Sequence, residues 1–332
     1  MKQTFSIILF ICTFLVNAQD IFKYEKEIND TAQYDFEEID FQNLDEKIKL
    51  SGTLIKPRLD FDKIVIIVPG SGKDTRNSHY ILAEELLKNN IAVYRFDERG
   101  VGKSEGKYSE LAKDLSNDLN CAFKDLQKKY STKKIGVIGH SLGGVATLGI
   151  MEKKCNPDFV VFIESPVGKN GAFVLNQIEM NYETSLPQFM REGKTKEEVM
   201  AFLEGYFELV RNFNQKPTLE KEVKKYIKEK GFNKRFIALL NDAFLMEMVT
   251  VNLEDTIKNT TIKSLYLIGT LDKFINHKEE TNTVESFKNS NIETKIFEGL
   301  NHYLTDRNGA VGSSLYQMDG EALKFIINWI KS

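Results

Sequence analysis

Apolar and polar residues alternate over 36–41 and again over 48–56, with 43–47 between them, which predicts two antiparallel strands joined as a hairpin. Beyond residue 60 the pattern changes. Short continuous apolar runs at 63–70, 91–97, 134–141, 159–166, 262–270 and 292–299 are separated by amphipathic stretches. Such runs, rich in Val and Ile and without polar alternation, predict strands covered on both faces, and the helical stretches between them supply the right-handed crossovers of a parallel sheet. The expected fold class is α/β, with a doubly wound, mostly parallel central sheet and an antiparallel N-terminal hairpin.

One connection is too long for a crossover. About ninety-five residues separate Pro166 from Ile262, against the few that an α/β unit needs. This stretch carries helix signals of its own. Thr195-Lys196-Glu197-Glu198 is a capping box, followed by Val199, Phe202, Leu203, Tyr206, Phe207 and Val210 at helical spacing. Thr218 is placed to cap a second helix that Gly231 ends, and a third is expected from about Asn233 into Met248. The aromatic stripe is expected to pack the insertion onto the main body rather than line a pocket. The insertion, 167–261, leaves from the C-terminal ends of strands, where open α/β sheets place their sites. It is therefore expected to form a helical lid between two core segments, 19–166 and 262–332.

The first residues read as a targeting segment. Lys2 precedes an apolar run over 5–16, too short to span a bilayer comfortably, and Val16-Asn17-Ala18 places small residues before Gln19. A cleaved signal over 1–18 is expected, with secretion or a periplasmic location and no stable membrane anchor after cleavage; the competing reading is an uncleaved anchor. Cys12 follows Ile11 rather than a small residue, which argues against a lipid-modified cysteine. Cys121 and Cys155 each sit in a helix-like stretch, so separate thiols are expected rather than a disulfide. Lys+Arg 45 against Asp+Glu 48 leaves no basic excess for nucleic acid. Four His and three Cys leave little material for structural zinc.

Candidate chemistry begins at Gly139-His140-Ser141-Leu142-Gly143, a G-x-S-x-G run entered from a strand and left through an apolar helix. A strand that turns into a helix this sharply forces the serine into a strained conformation, and glycines on both sides make room for it. The helix N-terminus lies beneath the serine, so the Leu142 N–H is a candidate oxyanion donor. A serine needs a base. Of the four histidines, His79 opens a helix, His140 is the elbow's own neighbour and His277 lies past an earlier strand; only His302, in Gly299-Leu300-Asn301-His302, follows the last strand. The order Ser, acid, His of a nucleophile elbow selects His302.

The orienting acid is expected to be Asp272, in Gly269-Thr270-Leu271-Asp272, with Glu164 at the end of the preceding strand as the alternative. A second oxyanion donor is expected from Pro69-Gly70-Ser71-Gly72, with Ser71 N–H first and Gly72 next. Two lysines mimic phosphate-binding loops. Gly72-Lys73 has Ile67 where the first glycine belongs, and Gly102-Lys103-Ser104 has Asp97 there. No H-E-x-x-H, paired cysteine spacing or dinucleotide fingerprint occurs, so neither metal nor cofactor is implied.

Together with Leu50-Ser51-Gly52-Thr53-Leu54 and Phe96-Asp97-Glu98-Arg99-Gly100-Val101-Gly102-Lys103-Ser104, these motifs make the chain similar to the α/β-hydrolase superfamily. Within it the chain resembles secreted bacterial serine esterases of the serine aminopeptidase-like group, from about residue 36 to the C-terminus apart from the insertion. Pro69 stands where relatives often carry histidine, and Leu142 where many carry glutamate. The resemblance implies that Asp97, Arg99 and Gly100 shape a turn and take no part in the chemistry. It also implies an α/β-hydrolase fold and hydrolysis of a small-molecule ester through an acyl-serine, with a peptidase or amidase using the same residues as the alternative. A non-catalytic ligand-binding protein is the remaining reading.

Overall fold

The computed structural model describes residues 25–213, 216–305 and 317–332. The signal expected over 1–18 lies outside the described residues. The chain opens with β1 (Tyr34–Glu38), β2 (Phe41–Asn43), β3 (Ile48–Leu50) and β4 (Gly52–Pro57). The expected hairpin forms but is divided. β2 and β3 pair at its tip as a separate ribbon, whereas β1 and β4 pair within the main sheet. Tyr94 sits at the division: a Cβ on Gly52 would stand 2.2 Å from its hydroxyl, which donates to Ile39 O at 2.8 Å.

Each apolar run then forms one strand: β5 (Lys63–Val68), β6 (Ala92–Phe96), β7 (Lys134–His140), β8 (Phe159–Ile163), β9 (Lys263–Gly269) and β10 (Ile292–Phe297). With β1 and β4 they make an eight-stranded sheet in the order β1-β4-β6-β5-β7-β8-β9-β10, parallel from β6 to β10 and antiparallel at the β1 and β4 edge. Both faces are buried, as unbroken β-branched runs require. Ile64, Ile66 and Val68 of β5 point into one core and Val65 and Ile67 into the other. Helix α1 (Tyr80–Lys88) and the C-terminal helix Gly320–Lys331 cover the second face; α2 (Ala112–Lys129) and α3 (Leu142–Glu152) cover the first.

Between β8 and β9 the chain is helical: α4 (Ala172–Met180), α5 (Lys196–Asn212), α6 (Lys216–Glu229), a 3₁₀ segment Lys234–Asn241 and α7 (Ala243–Thr250), with shorter turns. The Thr195 capping box is formed, with Thr195 Oγ1 accepting from Glu198 N at 3.2 Å and Glu198 Oε2 accepting from Thr195 N at 2.8 Å. Two boundaries differ from expectation. Thr218 is exposed inside α6 rather than capping it, because the helix already runs at Lys216 and Pro217 is tolerated in a first turn where no N–H partner is needed. The third helix is interrupted at Asp242, whose carboxylate accepts from Leu245 N at 2.9 Å and starts α7 afresh.

The stripe from Val199 to Val210 is buried, and Phe202 stacks on Phe232 with ring centroids 3.9 Å apart. Its partners are the other helices of the insertion, so the stripe holds the insertion together within the same hydrophobic cluster as the sheet. Two carboxylates tie the insertion down. Glu247 of α7 accepts from Ala112 N and Lys113 N, each at 2.8 Å, and so caps α2, whose preceding Leu111 has no capping side chain. Glu280 of α8 (His277–Ser286) accepts from Val167 N at 2.8 Å and Gly168 N at 3.2 Å, where the chain leaves β8. Cys121 and Cys155 are separate free thiols. No described helix is long and apolar enough to cross a membrane.

Candidate active site

The parallel strands end along one sheet edge, and the loops after β5, β7, β9 and β10 meet there. At the end of β7 the chain reverses into α3 through Ser141, at φ 51° and ψ −117°. This left-handed, non-helical conformation costs about 1–3 kcal/mol for a residue with a side chain. Three contacts enforce it. Ser141 N donates to Ile163 O at 2.9 Å, a Cβ on Gly139 would stand 2.5 Å from Gly143 O, and a Cβ on Gly143 would stand 2.3 Å from Val68 O. Only glycines allow strand, helix and the β5 loop to approach so closely.

Ser141 is half-buried, and its side chain makes no hydrogen bond among the described residues. Hydroxyl-to-imidazole bonds are commonly open in a resting site and tighten around substrate. The Leu142 N–H, first in α3, and the Ser71 N–H likewise meet no acceptor among the described residues. The β5 loop is drawn close to the serine, since a Cβ on Gly70 would stand 3.1 Å from Ser141 Cβ. Gly72, the second-choice donor, is engaged: its N–H donates to the Tyr108 hydroxyl at 3.2 Å. Below it, Asp74 N donates to Glu98 Oε2 at 3.0 Å, and burial beside Glu25 pushes the Asp74 carboxyl up to about 7.

Asp272 and His302 are brought together. His302 Nδ1 lies 2.7 Å from Asp272 Oδ2, and Asp272 Oδ1 accepts from Phe274 N at 2.6 Å and Ile275 N at 3.0 Å. Burial raises the Asp272 carboxyl, but His302, the Glu164 carboxyl and backbone N–H groups outweigh it and hold the group below its ordinary value. An aspartate that stays ionised here fixes the imidazole tautomer with the proton on Nδ1, leaving Nε2 as the basic nitrogen. Phe274 packs beside the imidazole, with centroids 4.8 Å apart.

Glu164, the alternative acid, does not take the imidazole. Its Oε1 accepts from Gly269 N at 2.5 Å, and its Oε2 is buried with no hydrogen-bond partner assigned. It stands behind Asp272: one ligand atom from each of Glu164, Asp272 and His302 falls within 4.8 Å of the others, the one such group among the described residues. The 2.7 Å bond already commits His302 Nδ1 and one Asp272 oxygen to each other. The group is thus arranged around protons rather than as an open ligand set.

A histidine chain was not legible in the sequence. His140 Nε2 lies 2.9 Å from His302 O, and His140 Nδ1 lies 3.3 Å from His79 Nε2, whose own Nδ1 is 3.2 Å from Ser78 Oγ. A carbonyl acceptor requires the proton on His140 Nε2, so His79 donates from Nε2 and accepts at Nδ1. Burial keeps both rings neutral, depressing His140 well below its ordinary value and His79 to about 4. The chain ties the His302 loop to the residue beside Ser141. His79 stands sixty-one positions from His140, and no linear motif joins them; the adjacency of β5 and β7 does.

Asp97 and Arg99 are held in hydrogen bonds and ion pairs. The Gly102-Lys103-Ser104 turn wraps a carboxylate instead of a phosphate, with Lys103 N donating to Asp97 Oδ2 at 2.8 Å and Ser104 Oγ to Asp97 O at 2.7 Å. Arg76 pairs with the same Asp97, and Arg99 with Asp118 and Glu46.

The family model described as serine aminopeptidase, S33, an α/β-hydrolase family, matches residues 60–307. No curated protein matches the sequence. Among solved structures, an esterase of Pyrococcus furiosus aligns at 20% identity over 90% of this chain and 91% of its own, with TM-score 0.58. An esterase of Exiguobacterium antarcticum aligns at 13% identity over 88% of this chain and 99% of its own, TM-score 0.53. A bromoperoxidase of Bacillus anthracis aligns at 14% identity over 89% and 100%, TM-score 0.53. At these identities the likeness is one of fold.

Proposed function

The chain belongs to the serine aminopeptidase S33 family of α/β hydrolases, and from that premise we propose that it cleaves carboxylic esters through an acyl-serine intermediate. Ser141 is the nucleophile. His302 Nε2 takes its proton as Oγ attacks the ester carbonyl, and the Ser71 and Leu142 N–H groups hold the oxyanion. Collapse of the tetrahedral intermediate breaks the ester C–O bond, and His302 returns the proton to the departing alcohol. Water then attacks the acyl-serine with His302 again as base, releasing the acid. Asp272 orients the imidazole and stabilises the imidazolium.

The observation that carries this reading is Ser141 held in a strained elbow, its hydroxyl free of internal bonds among the described residues, while its neighbour His140 is tied to the backbone carbonyl of His302, which pairs with Asp272. No cofactor enters the scheme. The insertion over 167–261 is proposed as the lid that shapes the acyl and alcohol pockets. The leader-like residues 1–18 support export, with the mature protein secreted or periplasmic.

A second reading is favoured by the description of the matching family: the same residues would open the amide bond of an N-terminal aminoacyl group. Rates on p-nitrophenyl acetate and on an aminoacyl p-nitroanilide, each with a Ser141→Ala control, separate the two. The ester reading expects the acetate to be turned over faster, with activity lost in Ser141→Ala. A faster anilide would establish the aminopeptidase reading.

A further inference from the structure

Asp272 faces two side chains, His302 on one side and Glu164 on the other. Glu164 follows directly on β8 with φ 47°, in the left-handed region that a residue with a side chain rarely adopts. Its N–H donates to Leu267 O at 2.9 Å, and its Oε1 is clamped by Gly269 N. A Cβ on Gly269 would stand 3.0 Å from Oε1 and 2.3 Å from Leu300 O, so β9 carries a glycine where Glu164 and the His302 loop press in together. The strained turn and the glycine bring the carboxyl up behind Asp272, with Oε2 shut away from solvent and from every N–H or O–H of the described residues.

A buried carboxylate oxygen with no donor is a costly arrangement, and a second carboxylate at Asp272 worsens it. A carboxylic acid in the same place has no such conflict, because its O–H finds the adjacent anion as acceptor. Burial and the Asp272 charge both push the Glu164 carboxyl well above its ordinary range. Asp272 shifts the other way, with His302 and the bond from Glu164 among the causes. The other titratable groups around Glu164 do not reverse this. Glu280 of α8, itself raised to about 7, and Tyr266 of β9 contribute no positive charge, and His140 is neutral.

Resting on the reading of Ser141, His302 and Asp272 as the reactive group, we infer that Glu164 is a positioning residue: its Oε2 keeps a proton and donates a hydrogen bond through it to the Asp272 carboxylate, fixing that anion against His302 Nδ1. Glu164 touches no reacting atom and acts through Asp272. Its proton satisfies the Asp272 lone pairs that His302 and the backbone leave over, and so sets how strongly the aspartate draws on the imidazole.

Two substitutions test this in the full-length protein. Glu164→Gln keeps the Oε1 acceptor for Gly269 N and replaces the O–H by an N–H that cannot ionise. Glu164→Met keeps the volume and removes the donor. Two readouts are needed: kcat for p-nitrophenyl acetate as a function of pH, and the low-field NMR resonance of the His302 Nδ1 proton in the resting protein. Glu164→Gln is expected to keep kcat within about threefold and to leave the resonance where it lies in the wild type. Glu164→Met is expected to lower kcat about tenfold or more, with KM little changed. Its acid limb should move to higher pH, because an aspartate deprived of one donor holds the imidazolium more tightly, and the resonance should shift.

Equal effects of Gln and Met, whether both silent or both damaging, would overturn the inference, as would a loss beyond about tenfold in Glu164→Gln alone. The resonance needs no turnover. If the wild type fails to hydrolyse the ester, the proposed reaction fails, while the resonance comparison still decides the role of Glu164. If Glu164→Met does not fold, Glu164→Leu, which also lacks a donor, takes its place in the comparison with Glu164→Gln, with the same expected and overturning results.

Discussion

Asp272 and Glu280 are both buried, and each accepts two backbone N–H bonds through one carboxylate oxygen. Their carboxyls nevertheless move in opposite directions: Asp272 is held below its ordinary value, whereas Glu280 is pushed up to about 7. Backbone donors and burial are common to both sites, so they do not explain the difference. Charge and proton partners do. Asp272 has an imidazole 2.7 Å away and the Glu164 carboxyl behind it; among the described residues Glu280 has the Val167 and Gly168 N–H groups, with Glu279 and Asp272 adding like charge. Two N–H bonds are enough to seat a carboxyl inside the protein, but they do not keep it ionised there. The protein uses the first kind of site where chemistry is proposed and the second to tie the insertion to the core.

The largest expected effect breaks the comparison at the Asp272 end. Asp272→Asn leaves a side chain of the same shape but removes the charge and allows the wrong imidazole tautomer, so kcat on p-nitrophenyl acetate should fall about 10⁴-fold. Glu280→Gln, at the other buried carboxyl, should leave kcat within about threefold. A comparable loss in the two variants would mean that His302 does not distinguish the sites.

The next effect is on stability and differs in sign with pH. Glu280 has a raised carboxyl in the folded state, so its contribution is fully present below the unfolded value near 4.5 and is lost as pH rises through about 7. Asp272 has a lowered one, so its contribution is present above its unfolded value and is lost as pH falls through the folded value. Glu280→Gln should therefore be more stable than the wild type above neutral pH, by up to about 3 kcal/mol in urea unfolding, with the advantage disappearing in acid. Taking the difference between the two proteins removes the parallel contributions of Asp74 and Glu98, which are also raised.

Smaller effects belong to the insertion alone. Glu247→Ala leaves Ala112 and Lys113 N–H without their acceptor and should lower stability by about 1–2 kcal/mol, measured by the same unfolding curves. Thr195→Ala removes one partner of the capping box and should cost about 1 kcal/mol. Neither should shift the low-field proton of His302, because neither residue touches the Asp272 group.

The fold was legible where burial imposes a repeating pattern. The run Lys63–Val68 is buried on both faces, and nothing but a central strand explains an unbroken series of Ile and Val. The elbow was legible because close backbone approach leaves glycine no substitute at 139 and 143. Asp272 and His302 were reached through chain order, and the 2.7 Å bond between them accords with it. The break at Asp242 is not legible in the sequence, because the apolar spacing continues across it, while the capping bond to Leu245 N depends on a local backbone turn. Glu164 was placed near the imidazole but in competition with Asp272. Its position behind that residue depends on β8 lying beside β9 and on the φ of a single residue, neither of which a linear pattern carries. The His79–His140 contact is hidden for the same reason.

The central claim is that Ser141 is the nucleophile, and the mass of the intact protein after reaction with a fluorophosphonate tests it most directly. The wild type is expected to gain one phosphonyl group on Ser141, Ser141→Ala to gain none, and Asp272→Asn to be labelled far more slowly than the wild type. A Ser141→Ala protein that takes up the label and hydrolyses p-nitrophenyl acetate at the wild-type rate would contradict it.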